Sequence, residues 1–172
     1  ILDVGCGLGV VSLVLAAAGA KVTALDRAEP ALGFVSRSIE RNQLTVETCR
    51  MDLADLSAER RFDHVIAAEL LYEREGFPAL ADDLFERVSS GGRLTVVDAH
   101  RIDTTDFYKE VERVGVVLKY LAAKEAKQAG PHGHSHADAE PTAGPDPKSD
   151  GLDVIIIGAG AAGIGCAITL TR

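Results

Sequence analysis

The chain has little of what would commit it to a membrane, a nucleic acid or an oxidising compartment. Its three cysteines, Cys6, Cys49 and Cys166, are scattered. They form neither a disulfide framework nor a metal-binding spacing, so no metal is expected, and the pattern fits a reducing, cytoplasmic setting. Positive charge is short: 18 Lys and Arg face 26 Asp and Glu, a formal charge of −8. That balance argues against a nucleic-acid-binding surface. An initiating methionine and a basic leader are both lacking. Residues 1–20 end in Ala-Ala-Ala-Gly-Ala and imitate a secretory signal, but Asp3 and the missing positive charge argue otherwise. Val154 to Leu170 is nearly free of polar side chains, yet it is short for a bilayer span and carries four glycines. No membrane association is expected. The chain starts inside a motif and stops directly after an apolar helical pattern, so both ends read as cut.

What the chain does have begins at once. Ile1-Leu2-Asp3-Val4-Gly5-Cys6-Gly7-Leu8-Gly9 is an apolar run with an acid two places before three alternating glycines, followed by an apolar helical segment to Ala18. Glycine lets backbone approach a ligand closely at such a strand–turn–helix junction. The spacing is Gly-x-Gly-x-Gly. A dinucleotide site would need glycine at position 10, where valine stands.

Strands are predicted at 1–5, 21–26, 46–50, 62–68, 93–99 and 116–121. Helices are predicted at 9–18, 29–41, 78–89 and from Thr104 or Thr105 to Val114, with a turn at Ser90-Gly91-Gly92. On the second helix Leu32, Val35, Ile39 and Phe34 form the candidate buried side. Nearly continuous apolar strands alternating with helices imply an α/β fold, a Rossmann-like, doubly wound, mostly parallel sheet. Ligands of such sheets lie beyond the carboxyl ends of the strands. Asp3, Asp26, Asp52 and Glu69 all fall at or just after those ends.

Asp-x-Gly-x-Gly-x-Gly resembles motif I of the class I S-adenosylmethionine-dependent methyltransferases. Phe62-Asp63 through Glu69-Leu-Leu-Tyr72, Asp26-Arg27-Ala-Glu-Pro30, Arg41-Asn42, Gly91-Gly92 and Arg101 are similar to the layout of the seven-β-strand protein lysine methyltransferases, with their Asp/Glu-x-x-Tyr/Phe signature. The resemblance covers residues 1–122. It implies S-adenosylmethionine as cofactor, bound by Asp3, Gly5, Cys6, Gly7, Gly9, Asp26, Arg27, Met51, Asp52, Leu53 and Ala68. Asp26 would take the ribose diol and Asp52 the adenine amino group, with Asp3 on the glycine turn or the methionyl ammonium. Glu69 and Tyr72 become the catalytic candidates. A carboxylate can orient an ammonium and help its proton leave, and a tyrosine offers a ring face or hydroxyl. Cys6 reads as a small residue in a tight turn rather than a nucleophile. The implied acceptor is a protein lysine, with a small-molecule N- or O-acceptor as the alternative; an NAD-binding dehydrogenase lacks an identifiable nicotinamide-side residue.

Residues 1–123 thus read as a methyltransferase domain and 124–151, rich in Ala, Gly, Pro, Asp and His, as a flexible linker. His132, His134 and His136 belong to that polar linker. After β6 no further strand completes the first domain. Leu152 to Gly163 then runs as an apolar strand into Gly158-Ala-Gly160-Ala-Ala-Gly163. This is a complete dinucleotide fingerprint, which resembles the start of FAD- or NAD(P)-dependent flavoproteins. Residues 152–172 are therefore expected to be a truncated FAD/NAD(P)-binding stub, using that cofactor only in a full-length fusion. Alone, it would be disordered or lend its strand to the first sheet. On that account the chain could also be a non-catalytic fragment of a methyltransferase–flavoprotein fusion.

Overall fold

The structure, a computed structural model, describes residues 1–99, 101–113, 117–122 and 153–158. Seven strands form one sheet: β1 (Leu2–Val4), β2 (Thr23–Asp26), β3 (Glu47–Arg50), β4 (Phe62–Ala68), β5 (Val88–Asp98), β6 (Val117–Ala122) and β7 (Asp153–Gly158). Their order is β3-β2-β1-β4-β5-β7-β6. Every pairing is parallel. The helices are α1 (Val10–Ala17), α2 (Glu29–Asn42), α3 (Phe77–Glu86) and α4 (Thr105–Arg113).

Parallel strands need both faces covered, and β4 shows how its sequence meets that need. Val65 and Ala67 enter the larger core with Phe77, Leu84, Phe107 and Val111 of α3 and α4, whereas Ile66 joins Leu15 of α1 and Val22 on the other face. Phe77 and Phe107 meet edge to face, with centroids 5.6 Å apart. On α2 the 3.6-residue period buries Leu32 and Val35 and half-buries Ile39. Phe34 departs from expectation at 55% exposed. It directly precedes Val35, about 100° around the helix, and so cannot share that buried side.

A further difference concerns β5. The turn expected at 90–92 is an irregularity inside β5: β4 advances two residues, Phe62 to His64, while its partner advances five, Val88 to Arg93. Gly91 absorbs the excess at φ 71°. β7 comes from the stretch expected to open a second unit or, alone, to be disordered or lend its strand to this sheet; it lies between β5 and β6 and pairs with both. Its run Val154-Ile-Ile-Ile157 is β-branched throughout, which suits a central parallel strand. Of the second glycine motif, Gly158 ends β7, while Gly160 and Gly163 lie outside the described residues, as do His100, the histidines of 132–136 and Cys166.

Candidate active site

At the carboxyl edge the glycine turn holds three alternating left-handed glycines, Gly5, Gly7 and Gly9, at φ 62°, 54° and 76°. The turn is closed by backbone bonds: Cys6 N–H donates to Leu25 O at 3.0 Å and Gly9 N–H to Cys6 O at 2.8 Å. Gly9 caps α1 without a side chain. The missing cap is supplied from β1, because Asp3 Oδ2 accepts from Ser12 N–H at 3.1 Å and from Ser12 Oγ–H at 2.6 Å. Asp3 therefore serves the start of α1. It is 2% exposed. Burial pushes its carboxyl up to about 6 against the opposing Ser12 hydrogen bonds, and the nearby Asp26 charge adds to the rise. Burial, then Asp3 and Asp26, push the Cys6 thiol up to about 12, so it stays protonated and is no nucleophile near neutral pH.

Asp26 bridges two turns. Its Oδ2 accepts from Gly7 N–H and its Oδ1 from Ala28 N–H, each at 2.8 Å. Each oxygen keeps a second lone pair, so a diol can still be accepted. A Cβ built on Gly7 would meet no atom within 4 Å, so the turn face beside Asp26 is open to a ligand. By contrast, a Cβ on Gly9 would lie 2.7 Å from Val35 Cγ2. Those glycines do different work: Gly9 admits α2, and Gly7 leaves room. Beyond β3, Met51 is half-buried, Asp52 exposed and Leu53 buried, with Asp52 heading a short 3₁₀ turn at Leu53–Asp55.

The segment after β4 begins with half-buried Ala68 and then a distorted residue. Glu69 sits at φ 58°, left-handed without being glycine, while its N–H donates to Val97 O at 2.8 Å. Such a conformation costs on the order of 1 kcal/mol and turns the chain across the edge. Glu69 Oε2 pairs with Arg101 at 2.9 Å. Leu70 packs on Gly5 so closely that a Cβ there would collide with its Cδ2. Leu71 is buried, and Tyr72 is 52% exposed. The Tyr72 hydroxyl lies 3.5 Å from an Arg27 guanidinium nitrogen, so the acceptor candidates meet the donor candidates through Arg27.

Sequence reasoning named most of these residues but missed Ser12 and Leu70. Ser12 lies nine residues from its partner and Leu70 sixty-five from Gly5, separations no periodicity reports. His64, left unassigned, contacts Thr95 Oγ1 at 2.8 Å, and burial, aided by Arg93 and the chain's amino terminus, lowers it to about 4. Among the described residues no His/Cys/Asp/Glu group is arranged to hold a metal, and no helix is long and apolar enough to cross a membrane.

The strand order, the glycine turn and the acids at the strand ends converge on one family. Residues 1–92 match the family described as "Methyltransferase domain". The chain belongs to that family of methyltransferase domains. Over 105 residues it is 33% identical to a protein N-lysine methyltransferase of Danio rerio, an alignment covering 56% of this chain and 47% of that protein. Over 119 residues it is 34% identical to the cypemycin N-terminal methyltransferase of a Streptomyces species, covering 67% of this chain and 45% of that one. The crystal structure of TehB from Haemophilus influenzae superposes with a TM-score of 0.48 at 28% identity, over 53% of this chain and 32% of TehB. The chain thus spans about half the length of the curated relatives it matches, 47% and 45%.

Proposed function

We propose that this domain binds S-adenosylmethionine along the carboxyl edge of β1–β4 and transfers its methyl group to an amine of a polypeptide, a lysine side chain foremost. The observation that carries the donor part is the Asp26 carboxylate held against Gly7 N–H on the turn face that a Cβ would otherwise fill. Asp26 would accept the ribose diol, Asp52 the adenine amino group, and the peptide groups of Gly5–Gly9 would line the methionyl end, with Met51, Leu53 and Ala68 beside the base. Cys6 serves as the small residue that lets the turn close. S-adenosylmethionine, when bound, supplies an electrophilic sulfonium methyl, so the protein's task is chiefly to align a neutral amine in a dry pocket. Glu69 is set to orient the incoming ammonium and take its proton, and the exposed Tyr72 to offer its ring to the cation.

Two relatives support an amine acceptor: one is named for a lysine nitrogen and the other for the N-terminus of cypemycin. The test is transfer of labelled methyl from S-adenosylmethionine to a protein lysate and, separately, to a metabolite pool. Label in protein, lost on Glu69→Gln, supports the reading; label in metabolites alone replaces it with a small-molecule N- or O-methyltransferase. Calorimetry with S-adenosylhomocysteine tests the donor site separately, and no binding by a folded sample would leave a non-catalytic fragment.

The domain division belongs to the same reading: residues 1–123 carry both edges of the site, 124–151 link, and 152–172 carry the second glycine pattern. Use of FAD or NAD(P) in a longer fusion rests on Gly158, Gly160 and Gly163 alone.

A further inference from the structure

Arg87 follows α3 and precedes β5, and its side chain is only 3% exposed. Its Nη2 donates to Leu56 O at 2.7 Å and reaches Leu53 O at 3.4 Å. Nη1 contacts Glu86 Oε2 at 3.2 Å, but that carboxylate side chain is itself 58% exposed. Nε is buried with no hydrogen-bond partner among the described residues. Arg87 O also accepts from Phe62 N–H, the first residue of β4, at 2.8 Å. A guanidinium buried this deeply is an expensive way to fill core space, even with the Glu86 carboxylate at its edge and Asp83 near enough to feel its charge. Its geometry accounts for it: one guanidinium nitrogen, Nη2, reaches two carbonyls of one turn.

That turn is the stretch after β3 headed by Asp52. It is short, and its own backbone closes it with two bonds of 3.1 Å, Asp55 N–H to Asp52 O and Leu56 N–H to Leu53 O. Leu53 and Leu56 are buried and set its depth in the core. The turn's own bonds hold the Asp52 and Leu53 carbonyls relative to the turn, but apolar contacts are non-directional and leave the rotation of the whole turn against the core undetermined. Directional bonds to the carbonyls fix that rotation, and with it the direction in which exposed Asp52 leaves the chain.

We propose that Arg87 is a positioning residue for adenine recognition: by clasping Leu53 O and Leu56 O it aims Asp52 at the adenine amino group. The proposal rests on the donor reading above, and the experiment separates the two. Full-length chain and its Arg87→Met and Arg87→Lys variants are titrated with S-adenosylhomocysteine and with S-inosylhomocysteine, whose base carries a carbonyl oxygen where adenine has the amino group. Thermal midpoints are measured in parallel. The unsubstituted chain should prefer the adenine compound by about tenfold or more, since the carbonyl faces a carboxylate without a proton to share. Arg87→Met should shrink that preference to about threefold or less, and Arg87→Lys, which keeps the charge on a shorter side chain with a non-planar head, should fall between. A lowered midpoint with an unchanged preference would mean Arg87 only braces the fold, and the proposal is then wrong. If Arg87→Met does not fold, the Arg87→Lys ratio decides: reduced supports the proposal, unchanged overturns it. An unsubstituted chain that binds the adenine compound without preferring it overturns the positioning role alone. One that binds neither compound overturns the donor reading and the proposal together.

Discussion

On the β1–β2 side of the site, contacts are short and made largely to backbone N–H groups, by a buried Asp3 and a half-buried Asp26. Asp3 is buried on Ser12, Asp26 binds two peptide N–H groups, and Gly9 packs against Val35. On the side after β4 and β5, ion pairs in water stand beside a buried bond from Thr104 Oγ1–H to Asp98 Oδ2 at 3.3 Å. Arg101 and Glu69 are 73% and 35% exposed, and Arg74 bonds Asp106 with 49% and 55% exposed. Buried hydrogen bonds specify one geometry, whereas exposed ion pairs contribute about 0–1 kcal/mol each and are readily exchanged for other partners. A methyl donor is the same molecule in every such enzyme and suits a rigid wall. An acceptor varies, and a weakly held rim can change partners without unfolding the domain.

The sharpest way to break this contrast is at Gly9. Gly9→Ala must hold a Cβ at φ 76° against Val35, and should cost about 2–4 kcal/mol in denaturant unfolding. A cost under about 0.5 kcal/mol would show the donor wall to be less rigid than its contacts imply.

Next comes Glu69. Glu69→Gln should lower the rate of methyl transfer about a hundredfold with little change in the thermal midpoint. Glu69→Gly removes the left-handed strain at φ 58°, so it should abolish transfer while raising stability by about 0.5–1 kcal/mol. A loss of stability instead would mean the acid is there for the fold.

Asp3 gives a pH signature. Its folded carboxyl is raised from 3.8 to about 6, so the native state binds more protons than the unfolded one between those values. The protonated form is favoured below about pH 4, and that contribution is lost as pH rises through about 6, on the order of 2–3 kcal/mol in all. His64 works in the opposite direction. Lowered from 6.5 to about 4, it is best tolerated neutral, and stability is lost as pH falls through that range. The two cancel in part, so the difference between Asp3→Asn and the unsubstituted chain isolates the first. That difference should shift in favour of Asp3→Asn from pH 4 to 6.5, and a flat difference would contradict the burial of an ionisable Asp3.

Least disturbing should be Arg101→Gln, within about 0.5 kcal/mol of the unsubstituted chain in stability. A larger loss would show that the acceptor rim is structural after all.

The residues of the proposed donor side were picked out beforehand by local signals. An acid two places before alternating glycines, and acids at strand ends, are spaced along the chain as they are around the site. The acceptor side was legible only as the Glu69-Leu-Leu-Tyr72 string. Neither the left-handed turn at Glu69 nor its pairing with Arg101, thirty-two residues away, leaves a periodic trace. The Ser90-Gly91-Gly92 stretch was misread for the same reason, because a strand irregularity is settled by neighbours and not by residue type; Phe34 was misread against the helix period itself, which sets it about 100° from Val35.

By itself the sequence determined the alternation of strand and helix, the apolar core strands and the glycine turn, since each depends on short-range sterics and on burial of a periodic face. Only the tertiary structure decided that Asp3 caps α1 through Ser12, that Leu70 seats on Gly5, and that β7 pairs between β5 and β6. Those are contacts between segments far apart in the chain, chosen by which groups remained unsatisfied once the local elements had formed.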